Sequence, residues 1–92
     1  MKKLVLDGSV ARKYKAEIFV KEKLVAAATD LQPLVAIDKA LKKAKLRLEN
    51  LDKIESFAGP GSFTGLRVAG AVVNVINWAL EKGKPITDIK YE

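Results

Sequence analysis

Seven consecutive residues, Gly59-Pro60-Gly61-Ser62-Phe63-Thr64-Gly65, carry most of the chemical potential of this 92-residue chain. They lie between a short apolar run, Ile54 to Ala58, and a long helical pattern, so they form a corner from strand to helix. Backbone amides point outward at such a corner, and the helix dipole there favours an anion. One reading is therefore a phosphate site. The other is a tight turn in which Ser62 or Thr64 caps the helix and the glycines permit positive φ. Neither nucleotide fingerprint is complete. Gly65-Leu66-Arg67 stands where a P-loop has Gly-Lys-Ser/Thr. A dinucleotide loop needs glycine in place of Thr64 and an acidic residue about 20 positions on, where Glu81 is still helical. A phosphate- or nucleotide-binding enzyme would have to combine this loop with Asp7, Ser9 and Thr64.

Few other groups could do chemistry. The chain has no cysteine and no histidine, which removes disulfides, thiol catalysis, the usual general base and the usual zinc ligand. No metal site and no cofactor is expected. The net charge of +6 suits a solvated, lysine-rich surface, or contact with RNA or an acidic partner. No aromatic residues interleave with the lysines to form a base-stacking platform. No uninterrupted apolar run approaches the roughly 20 residues of a membrane span. Asp7 and Gly8 cut the first apolar run too early for a signal peptide, so the expected compartment is the cytoplasm and no membrane contact is expected.

The elements that would position the loop follow from hydropathy. Residues 3–7, Lys15 to Val20 and Leu24 to Ala28 read as three strands, with Gly8 to Lys13 and Glu22-Lys23 as breaks, in an antiparallel meander. Thr29 or Asp30 can cap a helix that Pro33 opens. Leu34, Ile37, Leu41, Ala44 and Leu48 form its apolar stripe, with Lys39, Lys42, Lys43 and Lys45 off it. That spacing predicts an amphipathic helix of about 13 to 15 residues with a basic outer face. A fourth strand, Ile54 to Ala58, leads to the glycine loop and a helix from about Thr64 to Lys82, which Gly83 stops. Ile86 to Tyr91 reads as a fifth strand, parallel to the fourth through a right-handed crossover. The expected fold is a single α/β domain over 1–92. It has a mixed five-stranded sheet in the order β-β-β-α-β-α-β, of ribonuclease-H-like type.

The second helix is unusually apolar. Between Leu66 and Glu81, only Arg67, Gly70, Asn74, Asn77 and Glu81 break the pattern. The apolar arc exceeds the stripe of roughly 100° that a helix on one sheet needs. An excess of this size is either buried within the monomer or covered by another chain, since large exposed apolar patches mark binding surfaces. The expected partner surface comprises Leu34, Ile37 and Leu41 of the first helix and Leu66, Ala69, Gly70, Val72, Val73 and Ile76 of the second. Small residues at Ala69, Gly70 and Ala71 would let another backbone approach.

The segment Gly59-Pro60-Gly61-Ser62-Phe63-Thr64-Gly65-Leu66-Arg67, with a strand before it and a small-residue helix after it, resembles the hallmark of the TsaB (YeaZ) family. Leu48 to Ile54 and Gly83-Lys84-Pro85-Ile86 are similar to that family's entry and exit strands. Leu4-Val5-Leu6-Asp7-Gly8-Ser9 stands where the family has a strand ending in Asp-Thr-Ser. Gly8 departs from that pattern, as does the lack of a histidine near the start of the first helix. The resemblance implies the actin/Hsp70/sugar-kinase superfamily, with this chain matching the first of two domains and the second absent. It implies a non-catalytic subunit that supports a TsaD-like enzyme in threonylcarbamoyladenosine modification of tRNA. The implied partners are a TsaD-like subunit, a second copy, or both, met through the two helices, with tRNA reached only through the complex. Asp7 and Ser9 would be remnants of a phosphate site. The competing expectations are a self-associating structural module, the phosphate- or nucleotide-binding protein above, and an RNA-binding accessory using Lys39, Lys42, Lys43 and Lys45.

Overall fold

The computed structural model describes residues 1–82. The elements are β1 (Lys2–Val10), β2 (Lys13–Val20), β3 (Lys23–Asp30), α1 (Pro33–Ala44), a single 3₁₀ turn at Leu48–Asn50, β4 (Lys53–Ser56) and α2 (Phe63–Lys82). The four described strands form one sheet in the order β3-β2-β1-β4. β1 pairs antiparallel with β2 and parallel with β4, and β2 pairs antiparallel with β3. The expected strand Ile86 to Tyr91, and its parallel pairing, lie outside the described residues, so the sheet has four described strands where five were expected.

The meander is tighter than the sequence pattern suggests. β1 runs past Asp7 to Val10, through a stretch read as a turn. The β2–β3 hairpin closes on Lys21 and Glu22, one residue earlier than expected, with φ of 52° and 68°. Two central residues at positive φ match the right-handed twist of the strands, whatever their side chains. Between Asp7 and Val10 the register slips, so that Gly8 and Ser9 face only Tyr14. This bulge turns the end of β1 toward the helix layer.

Alternation sends Leu4, Leu6, Ala16, Ile18, Ala26, Ala28 and Ile54 to one face of the sheet, where all are buried. Both helices lie on that face, α1 over β2 and β3, α2 over β1 and β4. Pro33 opens α1 as expected, but the N-cap is Gln32, without a side-chain bond. Asp30 acts one step back, its Oδ1 accepting the Gln32 N–H at 3.0 Å. Lys45 ends α1 in the left-handed region, and the Leu46 N–H closes on the Leu41 carbonyl at 3.0 Å. Leu48, expected on the α1 stripe, therefore sits in the separate 3₁₀ turn. On the opposite sheet face, Lys3 pairs with Glu55 at 3.3 Å and lies 5.5 Å from the centre of the Phe19 ring.

The helix α2 meets the length and composition of a membrane span over Phe63–Glu81, with mean hydropathy 1.3. The expectation that nothing approaches that length holds only for uninterrupted apolar runs. Its inner face is packed on the sheet: Ala69, Val72, Val73, Ile76 and Ala79 are all buried.

Candidate functional site: the glycine corner and the outer flank of α2

The corner is built where the β1 bulge meets the start of α2. Ser62 donates its N–H to the Ser9 carbonyl at 2.6 Å. Its Oγ accepts the Gly65 N–H at 3.3 Å and its carbonyl accepts the Leu66 N–H at 2.9 Å. This is the N-cap arrangement, side chain to the third helical residue and carbonyl to the fourth. Of the two capping candidates, Ser62 does the work; Thr64 is already inside the helix and exposed. Gly59-Pro60 is a cis peptide, with Gly59 at φ 116° and Gly61 at φ 155°.

The glycines are here because two backbones touch. A Cβ on Gly65 would collide with the Gly8 carbonyl oxygen, and a Cβ on Gly8 with the Gly65 carbonyl. A Cβ on Gly61 would strike Ser9. The loop thus packs against Gly8 and Ser9, and at least two amides of its helix end are spent on Ser62. Asp7 turns back on its own chain, its Oδ1 accepting the Ser9 N–H at 2.8 Å. The site residues Asp7, Ser9 and Gly59 to Gly65 do come together, as the sequence suggested, in a packed junction. Beside it lies an open hollow of about 570 Å³ lined by Arg12, Tyr14, Leu31, Ser62 and Thr64. Among the described residues no charged or polar side chain is buried, and no group of three or more metal-ligating residues is found.

The expected partner surface needs correction. Ile37, Leu41, Ala69, Val72, Val73 and Ile76 are buried against the chain's own sheet, Ile76 to 1 % exposure. A partner cannot reach them in this fold, because the most regular stripe on each helix is the one its own sheet takes. Leu34 and Leu66 are half-buried. Gly70 is half-buried and faces Ser56 of β4. Asn77 is spent the same way, its side-chain amide donating to the Ile54 carbonyl at 3.2 Å.

The apolar excess of α2 is real, and it lies on the other flank. Phe63 is 73 % exposed, Val75 37 % and Trp78 47 %, and Ala71 is exposed between them. Arg67 lies 5.5 Å from the centre of the Phe63 ring and rims a shallow hollow shared with Thr64, Val68 and Ala71. Residues 63, 67, 71, 75 and 78 recur at helical spacing, so they form one strip. A wheel could have separated this strip from the inner one by assigning the more regular stripe to the core.

The basic face of α1 is largely engaged. Lys39 pairs with Asp30 at 2.7 Å and Lys42 with Asp38 at 2.9 Å, while Lys43 donates to the Ala27 carbonyl at 3.0 Å. The Lys39 ammonium and the Gln32 N–H hold the Asp30 carboxyl below the usual carboxylate range. Three of the four lysines that would form an RNA-binding row thus have partners within the chain.

The family model for the tRNA N6-adenosine threonylcarbamoyltransferase, TsaD, matches residues 24–89. Among solved structures the chain is similar to YeaZ from Pseudomonas aeruginosa, with 25% identity and a TM-score of 0.74 over 88% of this chain and 42% of that one. It is also similar to a protein described as uncharacterized, with similarity to peptidase YeaZ, from Pseudomonas aeruginosa, with 26% identity and a TM-score of 0.71 over 91% of this chain and 40% of that one. The chain thus spans about two fifths of the length of these structures. No match was found among curated proteins.

Proposed function

Because the chain belongs to the TsaD family of tRNA N6-adenosine threonylcarbamoyltransferases and has a TsaB/YeaZ-like fold, we propose that it is a non-catalytic subunit in the threonylcarbamoyl modification of tRNA. It pairs through the outer flank of α2 with a TsaD-like catalyst. The observation that carries this reading is the strip of Phe63, Ala71, Val75 and Trp78, left apolar on a helix whose inner face is already packed. Exposed aromatic residues with an arginine beside them are the usual anchors of an interface. In this reading the chain corresponds to the first half of a two-domain relative, acts in the cytoplasm, requires no cofactor and meets tRNA only through the complex. The glycine corner is architectural: it fixes the start of α2 against β1 and so sets the direction of the strip.

Co-expression with the TsaD-like protein of the same organism, followed by size-exclusion chromatography, tests the proposal. A stable complex is expected, and Val75→Asp should abolish it while leaving the fold intact. Persistence of the complex with Val75→Asp and Trp78→Asp combined would move the interface elsewhere. Failure to form any complex, together with a homodimer that Val75→Asp dissolves, would favour the second reading, a self-associating module using the same strip.

A further inference from the structure

Among the described residues, β3 has a neighbour on one side only, β2. Its central run, Leu24-Val25-Ala26-Ala27-Ala28-Thr29, carries no charge, and Leu24 and Val25 are exposed. An uncharged, eight-residue edge strand is a template for another strand, and proteins commonly block such edges with lysine. Here the block comes from another element. Lys43 on α1 reaches over the edge and donates from Nζ to the Ala27 carbonyl at 3.0 Å. Lys39, one turn earlier, holds Asp30 at the end of the same strand.

We propose that β3 is a pairing edge for a second copy of this chain, and that Lys43 keeps it shut by filling the acceptor which the incoming strand would use. The occupant is a second β3. In an antiparallel pair of identical strands whose side chains share faces, a residue can lie opposite its own copy. Centred on Ala27, that alignment sets Ala26 opposite Ala28 and Val25 opposite Thr29, and no like charges meet between Val25 and Thr29. The Ala27 N–H of each copy would then donate to the Ala27 carbonyl of the other, the atom that Lys43 occupies. One guard sits on each copy, so a symmetric pair must displace two.

The test compares Lys43→Ala with Lys42→Ala, a neighbouring lysine whose partner is Asp38 on its own helix. Sedimentation velocity across a concentration series reads the association constant, and amide hydrogen exchange reads protection along β3. Any association through α2 is common to both variants and cancels. Lys43→Ala is expected to raise self-association on the order of tenfold or more, as release of a charge-assisted hydrogen bond implies, with new protection at Ala27 and Thr29. Lys42→Ala should behave as the parent. Adding Val25→Lys to Lys43→Ala restores a charge on the edge and should return the parent mass, which separates edge pairing from misfolding. Equal association of Lys43→Ala and the parent, or a gain that Val25→Lys does not reverse, would overturn the proposal.

Discussion

The two helices lie on the same face of one sheet and finish their outer surfaces in opposite ways. α1 turns Asp38, Lys39, Lys42 and Lys43 outward, and each has a partner in the chain: Lys42 with Asp38, Lys39 with Asp30, Lys43 with the Ala27 carbonyl. α2 turns Phe63, Ala71, Val75 and Trp78 outward. Their inner faces are alike, small and aliphatic, with Ala36, Ile37, Ala40 and Leu41 on one matched by Ala69, Val72, Val73 and Ile76 on the other. Burial against the sheet therefore does not distinguish the helices. The outer surface does: α1 is complete within the monomer, whereas α2 carries apolar area that only another surface can cover.

The largest effect should come from unseating α2 at its origin. In Gly65→Val, the new side chain meets the Gly8 backbone, which cannot yield as a side-chain tip can. Urea unfolding should show a loss on the order of 4 kcal/mol or more, within the range reserved for specific steric failures. Because the collision drives α2 off β1, the exposed strip loses its orientation and complex formation should fail as well. A stability near that of the parent would mean that the junction relaxes, and that the corner does not set the direction of α2.

Next come the matched core truncations. Ile37→Ala on α1 and Ile76→Ala on α2 each empty a fully packed position and should each cost about 3 kcal/mol by chemical denaturation. Similar losses support the equivalence of the inner faces. A much smaller loss for Ile76→Ala would show that α2 depends on a partner even for its inner packing, and the contrast between the helices would then begin at the core.

The outer surfaces are separated by a third measurement. Val75→Asp should change monomer stability by no more than about 0.5 kcal/mol, as surface substitutions do, yet remove partner binding. Lys42→Glu on α1 should leave both unchanged. Loss of binding from the α1 variant alone would invert the assignment and return the basic face to the functional account.

Much of this contrast was readable before the coordinates, though the interface residues were not. The strand–glycine–helix corner was plain because Gly59 to Gly65 has few other uses, and the amount of apolar surface on α2 could be counted. Which side of α2 faced inward could not. Ala69, Val72, Val73 and Ile76 have the better helical spacing and so looked like the binding surface, but regular spacing is what a flat sheet selects. The irregular remainder, Phe63, Val75 and Trp78, is what stays outside. β1 was read short because Gly8 signals a break, whereas here it is the close-contact residue of a bulge. The Lys21-Glu22 turn was misplaced by one residue because neither side chain prefers positive φ; the two-residue loop imposes it. Lys43 gave no signal at all, since its role depends on where α1 crosses β3.

The smallest expected effect tests whether α1 is as self-contained as its ion pairs suggest. The Lys39 ammonium first, and then the Gln32 N–H, hold the folded Asp30 carboxyl below its unfolded value of 3.8. A carboxylate depressed in this way contributes stability that is present above the unfolded value and is lost as pH falls through the folded one. The Glu55 carboxyl, depressed chiefly by Lys3 on the opposite sheet face, acts in the same window. Thermal melts of the parent and of Asp30→Asn should therefore differ slightly and constantly from neutral pH down to about 5, and converge below about 4. The remaining acid sensitivity of Asp30→Asn should then belong to Glu55 and disappear in the double variant with Glu55→Gln. A gap that stays constant through pH 3 would mean that Asp30 acts through the Gln32 turn alone, which asparagine also supplies, and that Lys39 is free to serve an outside partner.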